Sequence, residues 1–225
     1  GLPGENGAGP HFYELVQGDG AVALFFDIEY DPRLQRPAID NLVPGALRRC
    51  LVRFWHRVLG SAAEPLDEQS FIELDSTREG KFSRHLIVRP GWRGSCSSTR
   101  AGETRSRRNA TCFANVHKAG AFARAFIDDA REATRAGDNE AALMFAKTGR
   151  GDAKPVVDFA VYGTNRAFRL LHSSKFGVNV PFQLWPGPMT DPDGAEAAEA
   201  PAPRCSTVCP QFLAGQCLMG AACFF

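Results

Sequence analysis

The run AVALFFDIEY at residues 21–30 most constrains this chain, because two acids stand inside an otherwise apolar stretch. Side chains along a strand alternate between its faces, so Leu24, Phe26, Ile28 and Tyr30 share one face and Phe25, Asp27 and Glu29 the other. The run FSRHLIV at 82–88 alternates in the same way. It puts Ser83, His85 and Ile87 on one face and Phe82, Arg84, Leu86 and Val88 on the opposite one. A third strand is predicted over 155–162 (PVVDFAVY), interrupted by Asp158, with Gly163-Thr164-Asn165 turning into a further hairpin strand at 166–172.

Helical spacing appears at 39–59, with Leu47, Cys50, Leu51, Phe54, Trp55 and Val58 on one side and Arg48, Arg49, Arg53 and Arg57 on the other. It recurs at 117–136, where Phe122, Phe126 and Ala130 are four apart and Gly137 supplies a stop. Strands and helices intermixed in this way predict an α+β domain.

The 225 residues, 44% hydrophobic and 23% charged, fit one globular domain or one domain with a small appendage. No stretch reaches the roughly 18 apolar residues of a membrane helix, which excludes a helix-spanning protein. The net charge of +1 conceals a division: −6 over residues 1–76, +10 over 77–175 and −3 over 176–225. A basic middle beside an acidic front fits a polyanion groove next to a metal-binding edge, and equally a solvated surface. Seven cysteines, four of them at 205, 209, 217 and 223, suit a reducing intracellular compartment with metal chemistry in the tail. The chain begins at Gly1 without a signal peptide and reads as a fragment. Residues 1–10 read as a Gly/Pro-rich stub, 11–185 as the core, 186–203 as a Pro/Ala/Glu-rich linker and 204–225 as a separate tail.

Asp27 and Glu29 leave the same strand face, and with a third acid such as Asp158 they form a set able to hold two divalent cations for nucleotidyl transfer. Such a pair also fits an ordinary solvated face. Ser83 and His85 repeat the geometry, and with Lys81 and Arg84 nearby they could grip a triphosphate. A structural histidine is the alternative.

Taken together, HFYELVQGDGAVALFFDIEYDP (11–32), LDSTREGKFSRHLIVRP (74–90) and VVDFAVYGTNRAFRLLHSSKFG (156–177) resemble the eukaryotic primase-polymerase family, PrimPol, of the archaeo-eukaryotic primase superfamily. The blocks stand in the family's order across residues 11–177. The resemblance implies a two-layer α+β core with an RRM-like antiparallel sheet. It implies metal-binding roles for Asp27, Glu29 and Asp158, and a nucleotide contact by Ser83 and His85. Lys81, Arg84, Arg166, Arg169 and Lys175, with Asn165 beside them, match its basic positions around the nucleotide. The implied activity is template-directed addition of dNTPs or NTPs to DNA with Mn²⁺ or Mg²⁺, in priming and in extension past damage, in nucleus or mitochondrion.

Two segments depart from the family. Arg105, Arg107 and Arg108 lie in a variable basic stretch that suits phosphate contacts or plain solvent. In the tail, Cys209, Cys217 and Cys223 resemble the start of a CCCH zinc finger that needs a histidine two residues past Phe225. Three thiolates do not close a structural Zn²⁺ shell, although Cys205 is a possible fourth ligand. Such fingers imply single-stranded RNA as a partner. The rival to an enzyme is a catalytically weak nucleic-acid-binding protein that keeps the primase-like fold.

Overall fold

The computed structural model describes residues 11–35, 42–90 and 112–185. The N-terminal stub, the Arg105–Arg108 stretch, the linker and the cysteine-rich tail lie outside the described residues. The alternation read from the sequence organises what is described. Strand β1 (Tyr13–Val16) is followed by β2 (Leu24–Tyr30), α1 (Leu42–Leu59), β3 (Phe71–Asp75) and β4 (Phe82–Val88). After these come α2 (Val116–Arg135), the single turn α3 (Asn139–Ala142), β5 (Phe145–Lys147), β6 (Ala153–Pro155), β7 (Arg166–Arg169) and β8 (Gln183–Leu184). The central sheet is antiparallel in the order β2-β4-β3-β8, and β1-β7 and β5-β6 form separate two-stranded ribbons. This is an α+β architecture.

The apolar face of β2 and β4 packs against the two long helices. Rings pack edge-to-face or tilted in a chain from α1 to the sheet: Trp55 against Phe122, Phe122 against Phe54, Phe54 against Phe126 and Phe126 against Phe26. Leu24, Phe26, Ile28, Leu86 and Val88 are almost fully buried beneath them. At about 25 cal/mol per Å² of apolar area, that burial is the main favourable term in the fold. Helix α2 starts where the Asn115 side chain accepts a hydrogen bond from Lys118 N (2.9 Å), and Gly137 (φ +95°) follows its C-terminus. The described part of the first predicted helix begins at Leu42, and Val58 is exposed, at 52%, where the periodicity puts it on the apolar side. The basic side of α1 meets acids: Arg49 and Arg53 pair with Glu140, and Arg57 with Asp129.

Two expectations are corrected. Residues 155–162 are not a strand. Only Pro155 belongs to β6, Val157 makes a single bridge to Ile28, and Phe159–Tyr162 wind into a 3₁₀ turn. The reason is Asp158, whose side chain accepts from Ala160 N (2.9 Å) and caps that turn. The predicted hairpin partner is also different, because β7 pairs with β1 in the register Tyr13 to Arg169 through Val16 to Arg166. No described helix is long and apolar enough to cross a membrane.

Candidate active site

Strand register places the site. Asp27 lies opposite His85 and Glu29 opposite Ser83, so the four side chains share the sheet face away from the long helices. Asp158 reaches the same place from the other edge of β2. Glu29 N donates to Val156 O and Asp158 N donates to Asp27 O, both at 2.8 Å. One carboxylate oxygen from each of Asp27, Glu29 and Asp158 lies within 4.8 Å of the others. Asp27 is buried, Glu29 half-buried and Asp158 exposed, so the cluster runs from the interior to solvent.

This crowding has an electrostatic consequence. Burial first, then the neighbouring Glu29 and Asp158, push Asp27 up to about 8, against the pull of Lys81 and Arg169. Its Oδ1 is buried and has no hydrogen-bond partner among the described residues; His85 Nε2, at 3.7 Å, is too far to supply one. Three converging carboxylates with an orphaned buried oxygen fit a hard divalent cation, which takes oxygen ligands and favours the ionised form. This acidic triad can bind a divalent metal.

The other site residues differ in what holds them. Lys81 Nζ donates to Glu29 Oε1 at 2.5 Å. Arg169 donates to Ser76 Oγ (3.0 Å) and to Val180 O (3.2 Å) and lies over the Phe182 ring, and Ser76 Oγ in turn reaches Ser83 Oγ at 3.2 Å. His85 is held between Phe168 and Phe182, each ring centroid 4.0 Å away. Burial, Arg169 and Lys81 hold its imidazole well below the usual histidine range, so it is neutral at pH 7. Asn165 just before β7, Arg166 at its start and Lys175 after it are exposed, and Arg166 and Lys175 have no ion-pair partner among the described residues.

Arg84 does not join them. It lies on the opposite face of β4, buried, with Nη1 donating to Glu73 Oε1 at 2.6 Å and Nε 3.6 Å from Asp75 Oδ1. The Trp185 ring covers its guanidinium at 3.7 Å. The alternation of 82–88 already separates Arg84 from Ser83 and His85, so its match to a basic nucleotide position reflects sequence likeness without the matching direction.

Several participants escaped the sequence reading. Phe168 and Phe182 wall the histidine, Ser76 links Arg169 to Ser83, and Tyr162 anchors the turn that delivers Asp158. The Tyr162 hydroxyl donates to Phe25 O on β2, and its ring packs against Phe25. Ser76, Tyr162 and Phe168 fall inside the motif blocks, which was the only signal available for them.

No family model matches the chain. Three curated proteins, each named DNA-directed primase/polymerase protein, are similar to it. The zebrafish (Danio rerio) protein is 26% identical over 177 residues, the mouse (Mus musculus) protein 28% over 199 and the bovine (Bos taurus) protein 25% over 218. The matches cover 76–77% of this chain but only 33–38% of those proteins, so the chain spans about a third of the length of the curated relatives it matches.

Proposed function

We propose that this chain, PrimPol-like across about three-quarters of its length, is the catalytic part of a template-directed DNA primase/polymerase. One observation carries the reading. Asp27, Glu29 and Asp158 converge beside Ser83 and His85, uniting on one sheet face motif blocks that are far apart in sequence.

The chain's own groups have separable tasks in this reading. The carboxylates of Asp27, Glu29 and Asp158 would hold the metal, with the orphaned Asp27 Oδ1 as the innermost donor. Mn²⁺ or Mg²⁺ there supplies Lewis acidity toward a primer 3′-hydroxyl and the departing pyrophosphate. Arg169, positioned by Ser76 and Phe182, faces the acids from β7 and offers fixed positive charge to a triphosphate. Lys175 and Arg166 add exposed cations. The neutral His85 contributes a directional hydrogen bond in place of a full charge, its ring fixed by two aromatic walls. In the transfer the 3′-oxygen bonds to the α-phosphorus, the α–β bridging bond breaks with its electron pair leaving on pyrophosphate, and the hydroxyl proton is released to water at the exposed Asp158 rim. DNA primer–template and dNTPs or NTPs are the substrates in this proposal, by the relatives' name and the motif likeness.

Primer extension on a DNA template with Mn²⁺ and dNTPs tests the reading. Wild type is expected to extend, and Asp27→Ala combined with Glu29→Ala to give no product. Equal extension by both proteins would show that the acids are not catalytic.

A further inference from the structure

Ser76 directly follows β3 and is buried. Two hydrogen bonds meet at its hydroxyl oxygen. Arg169 Nη2 donates to it at 3.0 Å, and Ser83 Oγ lies 3.2 Å away. A guanidinium can only donate, so the first bond occupies a lone pair and leaves the Ser76 hydrogen to be placed. Ser83 Oγ accepts it. With Ser83 as the donor instead, the Ser76 hydrogen would be buried without an acceptor among the described residues, which is the costlier state. The donors therefore run in one direction, from Arg169 through Ser76 to Ser83.

The other polar groups of Ser83 are already engaged. Its N–H donates to Thr77 Oγ1 (3.2 Å), and its carbonyl accepts from Ser76 N (2.9 Å). What remains is the Ser83 hydroxyl hydrogen, which has no acceptor among the described residues. Arg169 is held at one edge in the same way. Nη1 donates to Val180 O at 3.2 Å, and the guanidinium carbon lies 3.9 Å from the Phe182 ring centre. Its remaining N–H groups have no acceptor among the described residues.

A row of donors with one polarity suits a ligand that only accepts. Triphosphate oxygens are such a ligand, and the motif likeness sets both Ser83 and Arg169 beside it. Hydrogen bonds in a chain polarise one another, so the charge on Arg169 strengthens the donor at Ser83. Ser76 also opposes a competing arrangement. Asp27 and Glu29 attract Arg169, and a guanidinium collapsed onto those acids would be lost to the nucleotide.

We infer that Ser76 is a positioning residue for the nucleotide triphosphate: it orients Ser83 as a donor and ties Arg169 to it, so that the two grip phosphate oxygens as one unit. The inference rests on the nucleotidyl-transfer reading above.

The test is a double-mutant cycle of Ser76→Ala and Arg169→Gln. Binding of dATP with Mn²⁺ is measured by calorimetry, and KM and kcat for dATP by primer extension. Ser76→Ala is expected to weaken dATP binding and raise its KM roughly 10-fold, with kcat within about 2-fold of wild type. In the Arg169→Gln background the same substitution should cost roughly 3-fold or less. A purely structural hydroxyl predicts a lowered melting temperature with wild-type dATP affinity, and that result would overturn the inference. Equal factors in both backgrounds would overturn it too. Should Ser76→Ala not fold, Ser76→Cys, close in size but weaker as donor and acceptor, replaces it in the cycle, with a smaller loss in the Arg169→Gln background again expected. Failure of the parent reading looks different: wild-type protein would extend nothing, while the dATP titrations would still report the cycle.

Discussion

Asp27 carries electrostatic strain from burial and two neighbouring acids, and the strain has a sign. The folded protein keeps a proton on Asp27 up to about 8, whereas the unfolded chain releases it near 4. Between those values the native state binds more protons than the unfolded state, so metal-free stability falls as pH rises through the window. Glu14, pushed up to about 7 by burial, adds to the same trend. His85, held neutral, contributes the opposite sign as pH falls through its unfolded value near 6.5, so the clean interval lies between about pH 7 and 8. Melting temperature without metal is expected to drop across that interval by on the order of 2–5 °C, and Asp27→Asn to flatten the drop. Mn²⁺ should raise the wild-type melting temperature more at pH 8 than at pH 6. A metal effect independent of pH would argue against Asp27 as a ligand.

At the scale of elements, the delivery of Asp158 depends on how α2 lies against the 3₁₀ turn. Gly120 occurs inside α2, where glycine costs about 1 kcal/mol against alanine. Its reason is close approach, since a Cβ there would stand 2.7 Å from the Tyr162 Cβ. Gly120→Ala is therefore expected to destabilise by about 1–3 kcal/mol through overpacking, reversing the usual sign of the substitution. Tyr162→Phe, which leaves Phe25 O without its donor, should cost about 1 kcal/mol. Denaturant melts measure both, and a stabilised Gly120→Ala protein would contradict the packing described. These elements also mark how far the sequence could be read. The strands bearing Asp27, Glu29, Ser83 and His85 were legible, because a period of two with polar groups on one face admits few other arrangements. The turn at Asp158 was not, because Val156 and Val157 look like strand while the cap that ends it is a local side-chain bond. The β1–β7 ladder was missed because it is four residues long and joins segments about 150 positions apart, with no pattern in either alone.

For the whole molecule, the division of charge acquires a direction. The arginines of α1 are paired with acids: Arg48 with Glu73 of β3, Arg49 and Arg53 with Glu140 of α3, and Arg57 with Asp129 of α2. Arg78 and Lys154, which have no acidic partner among the described residues, line clefts beside the acidic cluster. A site needing both signs was visible in the segment charges, but which cations served it was not. Arg84 illustrates the difference, since its charge is consumed by Glu73 and Asp75 on the far side of the sheet. The central claim is that acids from β2 and from the turn after β6 act as one catalytic metal site. Asp158→Asn tests it most directly: asparagine can still cap the turn by accepting from Ala160 N, so the substitution removes charge and leaves the fold. Primer extension with Mn²⁺, alongside electron paramagnetic resonance titration of Mn²⁺, is predicted to show activity reduced about 100-fold or more and weakened metal binding at an unchanged melting temperature. Extension at the wild-type rate, with wild-type Mn²⁺ affinity, would contradict the account.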